Sequence, residues 1–257
     1  CHEFLGNWQG HDLVIAAPAP HSAYMCSPEI LQETARMALA YDVPLQIHIA
    51  ETALEVQESI EHRDVSPVRW LESIGLLDAK VIAAHCVHVN NEDMHILANH
   101  GVGVAHNPTS NLKLASGIAP VTRMLELGLD VGIGTDGPAS NNDLDMWEEM
   151  RLAALLAKGT TFDPTALPAR QALAMATIGG ARALHLGDLT GSLEPGKRAD
   201  VAVVDLRHLH NMPHFARDPE ALYARLVYAS KGSDVRDVMC QGRWLMRERE
   251  LLTLDEQ

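Results

Sequence analysis

Each of five short apolar runs in this chain ends in, or leads directly to, a residue that can bind a metal or move a proton. His48 falls at the end of the run at 45–49, and Glu51 follows three residues later. His85 follows 81–84, His106 follows 102–105 ahead of Asn107 and Pro108, and Asp136 follows 131–134 between Thr135 and Gly137. His21 comes after 14–17, beyond Pro18-Ala19-Pro20. Imidazoles and carboxylates are the side chains of acid–base catalysis near neutral pH. They are also good donors for a borderline cation such as Zn2+. Singly, each residue has a plain explanation. A lone histidine after a strand is more often a satisfied core or loop residue, Asp136 suits a turn, and Glu51 suits a helix N-terminus. Jointly, successive runs ending in His, His, His and Asp do not read as unrelated turn residues. His48 and Asp136 supply only two donors, whereas a catalytic zinc site takes three protein ligands and a water.

Other motifs point elsewhere or fail. Residues 132–137 spell G-x-G-x-x-G after a strand, the fingerprint of a dinucleotide site. Pro138 and Asn141-Asn142 follow where a helix should start at once, so a nicotinamide oxidoreductase is the weaker reading. H-E-x-x-H, P-C-x-x-C and G-x-S-x-G are absent from the sequence, which argues against a zincin, a cytidine-deaminase type of zinc site and a serine-hydrolase elbow. His62, His88, His95, His100, His185, His208, His210 and His214 show no strand-end placement and read as structural.

The elements that must position these residues alternate in type. Strands are expected at 14–17, 45–49, 81–84, 102–105 and 131–134. Ser27-Pro28 starts a helix toward Tyr41, Thr52 and Glu55 form a capping box, and further helices are expected over 67–74, 91–100, 120–127, 144–156, 168–177 and 181–184. Gly75, Gly101 and Gly128 serve as stops. Short apolar strands alternating with helices imply an α/β fold with a parallel sheet covered on both faces. In a β/α barrel the C-terminal strand ends share one mouth, where His21, His48, Glu51, His85, His106 and Asp136 would meet. After Leu189 the pattern turns to β: a strand at 199–206, a hairpin at 235–246 turning at Gly242, and a last strand within 248–254.

The chain has 257 residues, 47% of them hydrophobic, enough for a core and against disorder. A formal charge of −14 argues against nucleic acid as a partner, and no apolar run is long enough to span a membrane. Four cysteines without a disulfide spacing read as reduced thiols of a cytoplasmic protein. The first residue is Cys1, no signal peptide follows it, and residues 4–10 read like the middle of a domain. The chain is therefore expected to begin partway through a longer protein.

The strings A-P-H-S-A-Y (19–24), Q-I-H-I-A-E-T (46–52), A-A-H-C-V-H (83–88), H-N-P-T-S-N-L-K-L (106–114) and G-I-G-T-D-G (132–137) together resemble the amidohydrolase superfamily. Within it they are similar to the 5-methylthioadenosine/S-adenosylhomocysteine deaminases. The tail G-S-L-E-P-G-K-R-A-D-V-A-V-V-D (191–205) is also similar to that superfamily. The resemblance implies a (β/α)8 TIM-type barrel of the metal-dependent hydrolase kind, with residues 1–190 supplying strands four to eight. Residues 191–257 would form the C-terminal part of a composite β-sandwich with an associated helix. It implies one divalent metal, most often Zn2+, with Fe2+ or Mn2+ as alternatives, held here by His48 and Asp136. The strand before His21 carries no lysine, which points away from the two-metal branches. It further implies catalytic roles for Glu51, His85 and Asp136, and substrate binding by His21, Glu51 and Asp136. The family's first strand carries an H-x-H pair that also binds the metal. None precedes His21 here, and His208-Leu209-His210 lies in the wrong order, so strands one to three would be missing. The implied activity is hydrolysis of a C–N bond other than a peptide bond, namely deamination of an adenine-type nucleoside. Guanine or other nucleobase deamination, triazine dechlorination and a non-catalytic remnant stay open, as does a homo-oligomer.

Overall fold

Strands that are apolar on both faces need cover on both faces, and the covering helices also fix where each strand can end. A computed structural model describes residues 1–214 and 218–254. In chain order the first part runs α1 (His2–Trp8), α2 (Pro28–Tyr41), β1 (Leu45–Ile49), α3 (Ala53–Arg63), α4 (Pro67–Ser73), β2 (Val81–His85), α5 (Asn91–Asn99) and β3 (Gly103–His106). It continues through α6 (Pro108–Lys113), α7 (Val121–Glu126), β4 (Val131–Ile133), α8 (Pro138–Asn141), α9 (Met146–Thr161), α10 (Ala169–Met175) and α11 (Ile178–Ala183). The remainder holds β5 (Val201–Val204), α12 (Pro219–Ala224), β6 (Val235–Cys240), β7 (Arg243–Arg247) and β8 (Glu250–Leu251).

Strands β1 to β4 pair in order and all in parallel, so their C-terminal ends, with His48, His85, His106 and Ile133, lie along one edge of the sheet. Local chemistry starts the helices where the sequence places them. Ser27, Thr52 and Ser66 each accept the N–H three residues on, and Asn90 with Asp93 forms a reciprocal capping box. The core between sheet and helices is aliphatic, with Leu31, Leu45, Ile49, Leu71, Leu97, Met124 and Met150 fully buried. Two strand glycines let α11 lie against β3 and β4. A Cβ on Gly103 would overlap the Ala183 carbonyl group, and one on Gly132 would fall 2.8 Å from Gly180 Cα.

Several expectations shift. Residues 14–17 form no strand. Residues 18–22 lie beside β1 instead, through Gln46 N–H to Pro18 O, His48 N–H to His21 O and a parallel bridge between Ser22 and His48. Pro18 and Pro20 have no N–H to give, so this pairing cannot become a full ladder. The helix expected at 144–156 runs to Thr161, and that expected over 168–177 ends at Met175 before α11. The short helices α6 and α8 follow strand ends as extra turns beside the site.

Beyond α11, β5 to β8 form one antiparallel sheet among the described residues. The β6–β7 turn has positive φ at Gln241 (47°) and at Gly242 (76°), the backbone a tight hairpin turn needs. The last strand is shorter than expected, Glu250–Leu251. Helix α9 joins this part to the parallel sheet: Arg151 donates to the Val227 and Ser230 carbonyls, and Asp145 accepts from Gly232 N–H. Among the described residues no helix is long and apolar enough to cross a membrane.

The Gly103 contact meets backbone that cannot move aside. Gly103→Ala is expected to cost about 2 kcal/mol or more, read as a lower urea midpoint with an unchanged slope.

Candidate active site

The chain leaves three of the four parallel strands through left-handed backbone at residues other than glycine. Ala50 has φ 50°, His85 74°, Cys86 48° and Asp136 62°. Such conformations persist where the surroundings fix them, and they cluster at functional sites.

At the end of β1, His48 Nδ1 lies 2.6 Å from the His21 carbonyl oxygen. A carbonyl only accepts, so Nδ1 carries a proton, and in the neutral ring Nε2 keeps the lone pair. The His48 ring lies between those of His21, 4.7 Å away, and His85, 5.4 Å away and nearly parallel. His85 is buried, and its Nδ1 donates to Asn111 Oδ1 at 2.8 Å. Its Nε2 faces Glu51 Oε2 at 3.9 Å, and Ser116 Oγ donates to the other Glu51 oxygen at 3.3 Å.

Glu51 is held from behind by Glu55. This buried carboxylate accepts the Ala50 N–H at 3.0 Å and the Glu51 N–H at 2.8 Å, one on each oxygen. Burial pushes the Glu55 carboxyl above its usual range, against the lowering effect of those N–H groups, and the neighbouring Glu51 charge pushes it further up. Asp136 is fixed differently. Ser110 Oγ and Ser140 Oγ both donate to its Oδ2 at 2.7 Å. Burial works against the Asp136 charge, but the two hydroxyls, the Gly137 N–H and nearby His85 outweigh it and hold the carboxyl below its usual range.

The structure thus gathers His21, His48, Glu51, His85 and Asp136 at the strand ends. His106 is set apart. It is buried with Nδ1 unpartnered, and it lines a cleft with Val121, Ala153 and Ala157 between α7 and α9. Burial, and secondarily the His85 charge, pushes its pKa down to about 4. His208 and His210 stack on each other beside Asp234 in the C-terminal segment. Sequence reading passed over Ser110, Asn111, Ser116 and Ser140. For Ser110, Asn111 and Ser140 the signal was present in H-N-P-T-S-N and in A-S-N-N after Asp136, but a hydroxyl or amide beyond a strand end has no spacing rule, and Ser116 lies outside both strings.

Among the described residues no group of three or more His, Cys, Asp or Glu side chains could hold a metal ion. The donor chemistry of His48 and Asp136 suits a divalent cation, and the His21 carbonyl orients the imidazole as an outer partner should. Their number does not complete a catalytic zinc site.

The amidohydrolase family model matches residues 6–245. A 5-methylthioadenosine/S-adenosylhomocysteine deaminase of Moorella thermoacetica is 51% identical over 246 residues, which are 96% of this chain and 56% of that protein. A 5'-deoxyadenosine deaminase of Methanothermobacter thermautotrophicus is 45% identical, over 95% of this chain and 56% of its own length. A crystal structure of an adenosine deaminase from Xanthomonas campestris with bound zinc superposes with TM-score 0.93 at 40% identity, covering 98% of this chain and 56% of that one. The chain therefore spans little more than half the length of the proteins it matches.

His106 generates a pH test. Its folded pKa of about 4 lies below the ordinary value of 6.5, so the unfolded chain takes up this proton first as pH falls. Its contribution to stability is present above pH 6.5 and is lost progressively down to pH 4, on the order of 3 kcal/mol in all. Urea titrations across that range should show a shallower pH dependence for His106→Gln than for the wild type.

Proposed function

The chain belongs to the amidohydrolase family, and we propose that it serves the hydrolytic deamination of an adenine-type nucleoside, 5'-methylthioadenosine or S-adenosylhomocysteine, to the inosyl product and ammonia. The observation that carries this reading is the pairing of Glu51 with His85 Nε2 at 3.9 Å, each fixed by its own partner, beside an ionised Asp136. The adenine-type substrate is supported by the names of the relatives, and residues 1–190 and 191–257 are taken as the barrel and β-sandwich portions.

In this reaction water adds to the amino-bearing ring carbon. Asp136, charged at neutral pH, accepts the water proton at Oδ1, the oxygen its two serines do not use. His85 orients the attacking oxygen through Nε2. Glu51, in its protonated form, gives a proton to the neighbouring ring nitrogen, so that negative charge does not accumulate there. Asp136 passes the water proton to the amino nitrogen, the C–N bond breaks, and the hydroxyl proton returns to Glu51 as the carbonyl forms and ammonia departs. Substrate contact is assigned to His21, a reading supported by its ring lying beside His48 and edge-on to Tyr24.

A divalent ion, most simply Zn2+, would polarise the attacking water and lower its pKa toward neutrality. His48 and Asp136 would contribute to holding it, and as a pair they would hold it weakly. The four cysteines are free, as a reducing cytoplasm keeps them.

The test is ammonia release from the zinc-loaded product of the whole reading frame, on a panel of methylthioadenosine, S-adenosylhomocysteine, adenosine, guanine and a chlorotriazine. Glu51→Gln should lower kcat by about 10^2 to 10^4 with zinc content unchanged. Equal turnover in wild type and variant would remove Glu51 from its role, and turnover confined to guanine or the triazine would replace the substrate class.

A further inference from the structure

One buried acid has no part in the reaction just described. Glu149, in the first turn of α9, is 1% exposed. A buried carboxylate is costly unless its oxygens are hydrogen-bonded, and both of these are. Oε2 accepts the Thr109 N–H at 3.0 Å, and Oε1 accepts Asn141 Nδ2 at 2.6 Å.

The two donors stand on different connections. Thr109 opens α6, after β3, and Asn141 closes α8, after β4. Asn141 also donates to the Thr135 carbonyl at 2.8 Å, one residue before Asp136. The residues beside these anchors make the site contacts. Ser110 and Ser140 give their hydroxyls to Asp136, and Asn111 accepts from His85. Glu149 thus bonds to the segments that hold Asp136 and His85 without a hydrogen bond to either side chain.

Both serines meet the same oxygen of Asp136, and they reach it from the two segments that Glu149 joins. If either segment moved, one hydroxyl would lose Oδ2 or turn to Oδ1. Asp136 itself sits at φ 62°, a backbone state that relaxes when its restraints loosen.

We propose that Glu149 is a positioning residue: its carboxylate fixes α6 against α8 so that Ser110 and Ser140 converge on one oxygen of Asp136 and leave the other free. The use of that free oxygen rests on the deaminase reading, whereas the clamp itself does not.

Glu149→Gln keeps the shape of the side chain but can accept from only one of the two donors, because its amide hydrogens face the other. Asn141→Ala removes the second arm and leaves the Thr109 end intact. Both variants and their combination would be made in the product of the whole reading frame. Four quantities are read: zinc affinity by chelator competition, kcat and KM, hydrogen exchange by peptide, and melting temperature. Each single variant should lose about tenfold in zinc affinity and about tenfold or more in kcat, with KM within about threefold. Exchange should quicken in 107–113 and 135–142 but not in 45–49. The double variant should be no worse than the poorer single one, because both break one link. Additive losses, or a lower melting temperature with zinc affinity and kcat unchanged, would overturn the proposal and leave Glu149 a stabilising group only. If Glu149→Gln fails to fold, Asn141→Ala decides by the same criteria. If the wild type deaminates nothing, the deaminase reading fails, and zinc affinity with local exchange still decides the clamp.

Discussion

Everything at this site depends on how the chain leaves its strands. A parallel strand that ends at the mouth of the sheet must turn sharply to reach its helix. Here the turn is made at Ala50, His85, Cys86 and Asp136, none of them glycine, all at positive φ. The left-handed state costs an L-residue roughly 1–2 kcal/mol, so other interactions must select it. The first turn is selected by Glu55 on the Ala50 and Glu51 N–H groups. The second is held by the Cys86 N–H on the Ile49 carbonyl and by Asn111 on the His85 ring. The third is held by two serine hydroxyls on Asp136.

Glu55 and Glu149 are two answers to one difficulty. Each is a buried carboxylate whose oxygens each accept one N–H. Glu55 works within one connection, on backbone four and five residues before it. Glu149 works between connections, 40 residues from Thr109 and eight from Asn141. An acid used this way fixes geometry with direction as well as strength, because each acceptor lone pair must meet its donor near a line. An apolar side chain of equal volume would fill the space and leave those N–H groups unpaired, which is the expensive outcome.

The sheet and most helices were legible because their causes are local. Alternation of short apolar runs with capped helices locates β1 to β4 within a residue or so, and Ser27, Thr52 and Pro67 mark helix starts directly. His48, His85 and Asp136 stood out because strand ends are where a parallel sheet exposes chemistry. What stayed hidden depends on distance in sequence. Ser110 and Ser140 meet on Asp136 from different connections, and nothing in either neighbourhood announces it. The 14–17 run misled for the converse reason. Its apolar pattern is real, but the segment that meets β1 is 18–22, where two prolines withhold the donors that a full ladder requires. His106 shared the strand-end pattern with His85 and is as deeply buried; what separates them is that His85 bonds Asn111 and faces Glu51, whereas His106 Nδ1 has no partner and its ring lines the cleft between α7 and α9.

His48 and His85 show how one hydrogen-bonding rule is compatible with two proposed roles. Both rings commit Nδ1 to a fixed oxygen acceptor, the His21 carbonyl in one case and the Asn111 amide in the other. In the neutral ring each therefore keeps its lone pair on Nε2, and the two rings stack 5.4 Å apart. What then differs is the group that Nε2 faces. For His85 it is a carboxylate at 3.9 Å, which suits the proposed role with the attacking water. For His48 the Glu51 carboxylate is not within ion-pair distance among the described residues, so the lone pair stays available for a cation. The roles follow from the neighbours that the two strand exits bring up, and those exits are what the buried acids and serines hold in place.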